Sequence, residues 1–421
     1  MNTLLRLTCL SALLVILPAC TQPTAPSEAS AAPATADTPA FSEPIATVRV
    51  AFDRNGITDT RVTGLADPAT KRALTADDPV RIASISKLVL SIGVMRLVEA
   101  GKLDLDADVS DVLGWQLRNP SFPDKPISLR LLLSHQSSLT DHAGYWQVPL
   151  DGELKDLLAD PKAWDAEHAP GAYWRYTNLN FPLIAAVMER STGERFDLLM
   201  QRLVLQPLGL HACYGWPSCD ATTAARAVVL YENGKPEVDD NQGQKPPCGI
   251  TKASDGSCDL ATWRAGASPG VFGPQGGMRI SANDLSRIGR LLLGGGEVDG
   301  VRLLQPESLQ TMIGPEWNYA PGNGLTNEED DPNRTALGFT CRYGLAVHTL
   351  ASGLHDCGDD PFADGVQRIG HSGNAYGLLA GLWVDREGGN GVVYFATGMD
   401  KPAPGAHSAF SAIEEKLAQG K

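Results

Sequence analysis

The stretch Ser84-Ile85-Ser86-Lys87-Leu88-Val89-Leu90-Ser91-Ile92-Gly93-Val94-Met95-Arg96-Leu97-Val98-Glu99-Ala100-Gly101 decides how the rest of the chain is read. It predicts a helix from Ser84 to Ala100, with Gly101 as its stop. From Leu88 to Val98 only Ser91, Gly93 and Arg96 interrupt the apolar side chains, so the helix belongs inside the body of a globular domain. Its entrance is polar. Ser84 and Lys87 stand three residues apart, which on a helix places them on one face with Cβ atoms about 5–6 Å apart. Burial and the positive helix N-terminus both disfavour an ammonium, and an uncharged amine at that distance could accept the hydroxyl proton. The N–H of Ser84, in the first turn, is available to bind an oxyanion. A Ser-x-x-Lys match arises about once by chance in a chain of this size. The pair therefore needs companions.

Outward from this helix, the two ends of the chain read as strands. Ile45 to Phe52 is rich in Val and Ile, Asn55-Gly56 is a hairpin signal, and Ile57 to Thr63 resumes a partly alternating pattern. Leu378 to Val384 and Gly391 to Thr397 are apolar runs joined by Asp385-Arg386-Glu387-Gly388-Gly389-Asn390, a second hairpin. Ala406, Ala409, Phe410, Ile413 and Leu417 then recur at helical spacing. No regular strand–helix alternation and no repeat of 20 to 50 residues is present. The expected fold class is α+β: an antiparallel sheet built from N- and C-terminal strands, flanked by helices, with an inserted, mostly helical region.

Composition narrows the function classes. With 421 residues, 43% hydrophobic and 20% charged, the chain can bury a large core, and length alone gives a soft prior of two to three domains. The net charge of −14, from 35 Lys+Arg against 49 Asp+Glu, lacks the basic footprint of a nucleic-acid binder. The eight cysteines and eight histidines show no zinc-site spacing, and no Gly-rich phosphate cradle occurs, so neither metal nor cofactor is expected.

Residues 1–19 read as a signal peptide: Arg6, then an apolar run from Leu10 to Leu17 too short to span a bilayer. The ending Leu17-Pro18-Ala19-Cys20 resembles the lipobox of bacterial lipoproteins, with Pro18 a departure from the usual residue, and implies lipidation of Cys20. Ordinary secretion with a chance cysteine is the alternative. Thr21 to Pro44 contains 19 Ala, Pro, Ser or Thr in 24 residues, which makes 20–44 a disordered tether and 45–420 the folded domain. The expectation is an exported protein held at a membrane through Cys20, facing the periplasm or cell exterior. In that oxidising setting Cys213, Cys219, Cys248, Cys258, Cys341 and Cys357 form three sequence-local pairs, favoured as bridges over free buried thiols.

Two further motifs are the companions of Ser84 and Lys87. Tyr176-Thr177-Asn178 lies in the middle region, and His371-Ser372-Gly373, followed by Asn374, lies just before the C-terminal hairpin. In order and placement the three motifs resemble the serine beta-lactamase and penicillin-binding protein superfamily, in its branch of class C beta-lactamases, D-alanyl-D-alanine carboxypeptidases and esterases. Leu131 to Leu139, Gln206 to Leu210 and Gly276 to Leu285 also look like that family, so the resemblance covers roughly Ile45 to Leu417. It implies Ser84 as acylated nucleophile, Lys87 as proton acceptor and Tyr176 as second proton shuttle. Asn178 would bond the substrate carbonyl and steady Lys87. His371, Ser372 and Gly373 would form the other wall, and the Asn374 N–H would complete an oxyanion hole with that of Ser84. Many members carry lysine where His371 stands, and a mostly neutral histidine weakens the case for strong beta-lactam hydrolysis. No Glu-x-x-Leu-Asn segment is present, so the deacylating water would be activated by Tyr176 and Lys87 or by the substrate.

Other features read as decoys. Gly266-Ala267-Ser268-Pro269-Gly270 matches Gly-x-Ser-x-Gly, but Pro269, Gly270, Gly273 and Pro274 argue for a loop rather than a nucleophile turn. Glu328-Glu329-Asp330-Asp331 reads as a solvated acidic loop, and His135 as a packed or capping residue. The leading expectation is a serine hydrolase acting on a peptide amide, an ester or, weakly, a beta-lactam, with selectivity set by loops around Tyr145, Trp146, Gly276 and Gly277. The alternative is a lipoprotein that binds penicillin or cell wall without turnover. A solute-binding lipoprotein ranks below both, because no two-lobed strand–helix repeat is present.

Overall fold

The computed structural model describes residues 43–237, 245–327 and 337–421. The signal segment, Cys20, nearly all of the tether and the acidic run from Glu328 to Asp331 lie outside the described residues.

Strand β1 (Ala46–Asp53) alternates buried and half-buried residues, with Ala46, Val48, Val50 and Phe52 turned inward, as a half-buried strand of period two requires. Asp53 closes the turn that follows by accepting from the N–H groups of Asn55 and Gly56, and the chain returns as β2 (Ile57–Asp67). A short β3 (Arg72–Ala73) flanks it. On its other edge β1 pairs antiparallel with β9 (Asn390–Thr397), Ala46 opposite Thr397 and Asp53 opposite Asn390. The sheet continues through β8 (Leu378–Asp385), β7 (Arg368–Ala375), β6 (His348–Leu350), β5 (Arg342–Tyr343) and β4 (Trp317–Asn318). Its nine strands run β4-β5-β6-β7-β8-β9-β1-β2-β3, so the termini meet at its centre. The α+β architecture, with an antiparallel sheet drawn from both ends of the chain, is the one the sequence led us to expect.

Alternation along β9 sends Val393 and Phe395 into the main core and Val392, Tyr394 and Ala396 into a second cluster with Trp383, Phe410 and Leu417. The two faces are covered by different helices. Those in the main core are α1 (Ile85–Glu99), α2 (Asn180–Thr192) and α3 (Ala282–Leu293), and α4 (Ala412–Gln419) covers the second cluster. The expected C-terminal helix is shorter than its apolar spacing suggested. Ala406, Ala409 and Phe410 precede it, because Ser411 and Glu414 form a capping box that fixes the start. The Glu415 carboxylate accepts from the N–H groups of Ala406, His407 and Ser408 and holds that segment as a loop.

Disulfides join Cys213 to Cys219, Cys248 to Cys258 and Cys341 to Cys357, with Cα separations of 5.0, 5.8 and 6.2 Å. No helix among the described residues is long and apolar enough to cross a membrane.

Candidate active site

Helix α1 begins at a sharp turn. Val80–Arg81 pairs with Met278–Ile280, and the Ile82 N–H donates to the Met278 carbonyl at 3.0 Å. Ala83 then adopts φ +48°, a left-handed conformation that costs a non-glycine residue free energy unless its surroundings enforce it. Ser86 enforces it. Its hydroxyl donates to the Ala83 carbonyl at 2.6 Å and accepts from the Met278 N–H at 3.1 Å. The turn leaves Ser84 at the N-cap of α1, its side chain making no cap bond, on the wall of a cavity of about 650 Å³.

Lys87 is fully buried, as the almost wholly apolar helix requires. Its Nζ donates to Ser84 Oγ and to the Gln275 carbonyl, both at 2.8 Å, and lies 4.9 Å from the centre of the Tyr176 ring. With the amine neutral, the same short contact runs the other way, Oγ–H donating to the Nζ lone pair, while an amine hydrogen still reaches Gln275. Gln275 was not singled out in the sequence. It acts through a backbone carbonyl, which no side-chain pattern reveals.

Tyr176 and Asn178 line the same cavity. The segment that carries them is laid against residues 135–141. Arg175 N–H donates to the His135 carbonyl, Thr177 N–H to His135 Nδ1 and the Thr177 hydroxyl to the Leu139 carbonyl, each at 3.0 Å. The His135 ring stacks on Tyr176 at 4.5 Å. His135 thus supports the phenol and lies apart from Ser84 chemistry. Asp141, also unanticipated, accepts from the Asn178 backbone N–H and Nδ2, both at 2.9 Å, and from the Leu179 N–H at 2.8 Å. Burial pushes its carboxyl above the usual range, against the pull of these bonds and of Lys87.

Strand β7 supplies the opposite wall with Ser372, Gly373 and Asn374. A Cβ on Gly373 would lie 2.4 Å from the Ile82 carbonyl oxygen, so only glycine lets the strand approach the turn before Ser84 so closely. The expected place of His371 on that wall needs correction. Successive strand residues face opposite ways, and with Ser372 on the cavity the His371 ring turns into the interior. There Nδ1 meets the Ser372 carbonyl at 2.6 Å and Nε2 meets the Tyr343 hydroxyl at 3.1 Å. Its ring centre lies 4.4 Å from that of His348. Burial is the main cause that holds His135, His348 and His371 below the ordinary imidazole range, His348 at about 3. They are neutral at pH 7, so His371 offers a substrate no switchable cation.

The decoys settle simply. Ser268 stands at the N-cap position of the short 3-10 turn Pro269–Phe272, its side chain making no cap bond, with no strand before it, and is buried away from the cavity that Ser84 lines. Among the described residues, Cys341, Cys357 and Asp359 bring ligand-type atoms together, but both sulfurs are spent in a disulfide.

A serine bonded to a buried lysine thus shares one cavity with a tyrosine and a glycine-bearing strand. Residues 45–414 match the family described as Beta-lactamase. The chain belongs to the beta-lactamase family. Within this family it is 32% identical over 195 residues to Esterase EstB of Burkholderia gladioli, covering 42% of this chain and 47% of that protein. It is 28% identical over 188 residues to the D-alanyl-D-alanine-carboxypeptidase/endopeptidase AmpH of Escherichia coli strain K12, covering 43% and 45%. The matched stretches thus span just under half the length of these two relatives. Among solved structures, the octameric penicillin-binding protein homologue from Pyrococcus abyssi superposes with a TM-score of 0.61 at 18% identity, over 89% of this chain and 72% of that one. The D-amino acid amidase from Ochrobactrum anthropi gives 0.60 at 17%, over 89% and 92%. At such identities the likeness is one of fold.

Proposed function

We propose that this beta-lactamase-family protein is a serine hydrolase that cleaves a small ester or peptide amide through an acyl-enzyme on Ser84. The observation that carries this reading is the 2.8 Å contact between Ser84 Oγ and Lys87 Nζ, beside a cavity also lined by Tyr176, Asn178 and Ser372 to Asn374. Neutral Lys87 takes the proton of Ser84 as Oγ attacks the carbonyl carbon. The resulting oxyanion is met by the N–H groups of Ser84 and Asn374, and Tyr176 passes a proton to the departing alcohol or amine. Water then attacks the acyl carbon, its proton returning through Tyr176 and Lys87, and Ser84 is released. The relatives named esterase and carboxypeptidase support the substrate class. The neutral, inward His371 makes beta-lactams the poorer substrates.

The deciding experiment compares short-chain p-nitrophenyl esters, D-alanyl peptides and nitrocefin, with intact-mass measurement over time. Esters or D-alanyl peptides should turn over faster than nitrocefin, with a transient adduct on Ser84. A permanent penicillin adduct without turnover would instead indicate a non-catalytic penicillin-binding or cell-wall-sensing protein.

We further propose that residues 1–19 are a leader and that Cys20 is lipidated, holding the domain at a membrane of the cell envelope on the tether 20–44. The sequence Leu17-Pro18-Ala19-Cys20 and the composition of Thr21 to Pro44 support this. Cys20→Ser should release the protein from the membrane fraction, and retention there would refute the anchor.

A further inference from the structure

Helix α2 has no cap of its own. Its N-cap residue is Leu179, whose side chain cannot accept a hydrogen bond. The N–H groups that open a helix need acceptors, and a carboxylate is the most favourable one because the helix dipole adds to the bond. Here the acceptor comes from a distant part of the chain. Asp141 Oδ1 takes the Leu179 N–H at 2.8 Å and Oδ2 takes the Asn178 N–H at 2.9 Å. Local capping would have satisfied the helix equally well. What a local cap could not do is the third bond, in which Oδ2 also takes the Asn178 side-chain Nδ2 at 2.9 Å.

That third bond has a chemical consequence. An asparagine amide can flip end for end and rotate at small cost unless a partner distinguishes its oxygen from its nitrogen. A carboxylate makes that distinction, since it only accepts. With one Nδ2 hydrogen committed to Asp141, the amide of Asn178 is fixed in plane and in sense on the wall of the cavity that holds Ser84 and Tyr176. Asp141 itself is absent from the residues lining that cavity, so it acts through Asn178. The same carboxylate lies near enough to Lys87 for the two to feel each other electrostatically.

We propose that Asp141 is a positioning residue of the hydrolytic site, clamping the Asn178 amide and the start of α2 so that Asn178 and Tyr176 face Ser84 in a single arrangement. This rests on the hydrolase reading above. The clamp is built from a segment 37 residues earlier in the chain, between Leu129–Leu133 and the short turn Tyr145–Gln147, so helix α2 and the loop before Tyr145 are locked together at the cavity.

The test separates positioning from folding and from the hydrolase reading itself. Active sites are first titrated with a fluorophosphonate, using Ser84→Ala as blank. Failure of the wild type to be labelled at Ser84 would sink the hydrolase reading and leave the clamp geometry untouched. With labelling established, kcat per titrated site and KM are measured for Asp141→Asn, Asn178→Ala and the double variant on a p-nitrophenyl ester. Asp141→Asn should lower kcat per titrated site by about tenfold or more with KM changed by less than about threefold, because misplacement of a group touching the reacting centre acts on the transition state. In the Asn178→Ala background the same substitution should cost less than about twofold, since the residue through which Asp141 acts is gone. Equal losses in both backgrounds would overturn the proposal. So would a fall in titratable sites with kcat per site intact, which marks a purely structural cap. If Asp141→Asn yields no titratable protein, Asp141→Glu retains the charge on a longer arm. It should lower kcat per site by about threefold or more, and wild-type kcat in that variant would equally overturn the clamp.

Discussion

Gly373 and Ile82 touch backbone to backbone: a Cβ on Gly373 would stand 2.4 Å from the Ile82 carbonyl oxygen and 3.5 Å from Ala380 Cβ. One strand of the sheet is thereby held against the residue that leads into the Ala83–Ser84 turn, and the two halves of the proposed oxyanion hole depend on that contact. Gly373→Ala must push β7 away from the turn. We expect a loss of about 1–3 kcal/mol in stability, the usual result of overpacking, and a drop in kcat/KM of about tenfold or more through displaced Asn374. Chemical denaturation and ester kinetics on the same preparation check both. Unchanged kinetics would mean that the N–H of Asn374 has no part in the reaction.

Lys87 is wholly buried within an apolar helix, so its amine is retained at the expense of stability. Lys87→Met conserves length and volume while removing the polar head. Turnover should fall by a factor of about 10³ or more, as in Ser84→Ala, because nucleophile and base act as a unit. Stability should stay within about 1 kcal/mol of wild type or rise. A large loss of stability in Lys87→Met would show that the amine is held there for the fold.

The buried histidines set a direction for the pH dependence of stability. His348 titrates at about 3 in the folded protein against 6.5 as a model group, and burial is the main cause. Below pH 6.5 the unfolded chain therefore binds a proton that the folded one refuses. Stability from this group is complete above about 6.5 and is lost as pH falls toward 3, by about 2 kcal/mol at pH 5. His135 and His371 act in the same sense. Glu189, raised by burial to about 7 from 4.5, acts in the opposite sense over that interval. The clean measurement is thus a difference: His348→Gln should flatten the stability curve between pH 7 and 5 relative to wild type. Parallel curves would count against a neutral buried His348.

Cys341–Cys357 closes a loop of sequence separation 16 and Cys213–Cys219 one of 6. On loop-closure entropy, opening the first by paired Cys→Ala substitution should cost about 3 kcal/mol and the second about 2. Unreduced protein should show no reactive thiol among these residues after denaturation. Titration of two or more would break the pairing.

Local spacing explains what could be read early. Ser84 and Lys87 meet because three residues on a helix make nearly one turn, and the extent predicted for α1, Ser84 to Ala100, differs from Ile85–Glu99 by one residue at each end. Tyr176 and His371 carry no such internal ruler, and only their resemblance to a family pattern suggested that they belonged with Ser84. Of these two, the structure brings Tyr176 to the cavity and turns His371 away from it. The contributions of Gln275 and Asp141 were invisible for different reasons. One is a main-chain carbonyl, and the other is an aspartate of ordinary appearance, distinguished only by which donors converge on it.

The order of residues along the chain was enough to settle the buried helix, the strands at both ends and the serine–lysine pair, because each depends on periodicities of two or 3.6 residues that act over short range. Which carbonyl receives the lysine amine, which acid locks the asparagine and which way a strand histidine faces were decided only by packing. Those contacts join residues 28 to 188 positions apart, and no local period constrains them.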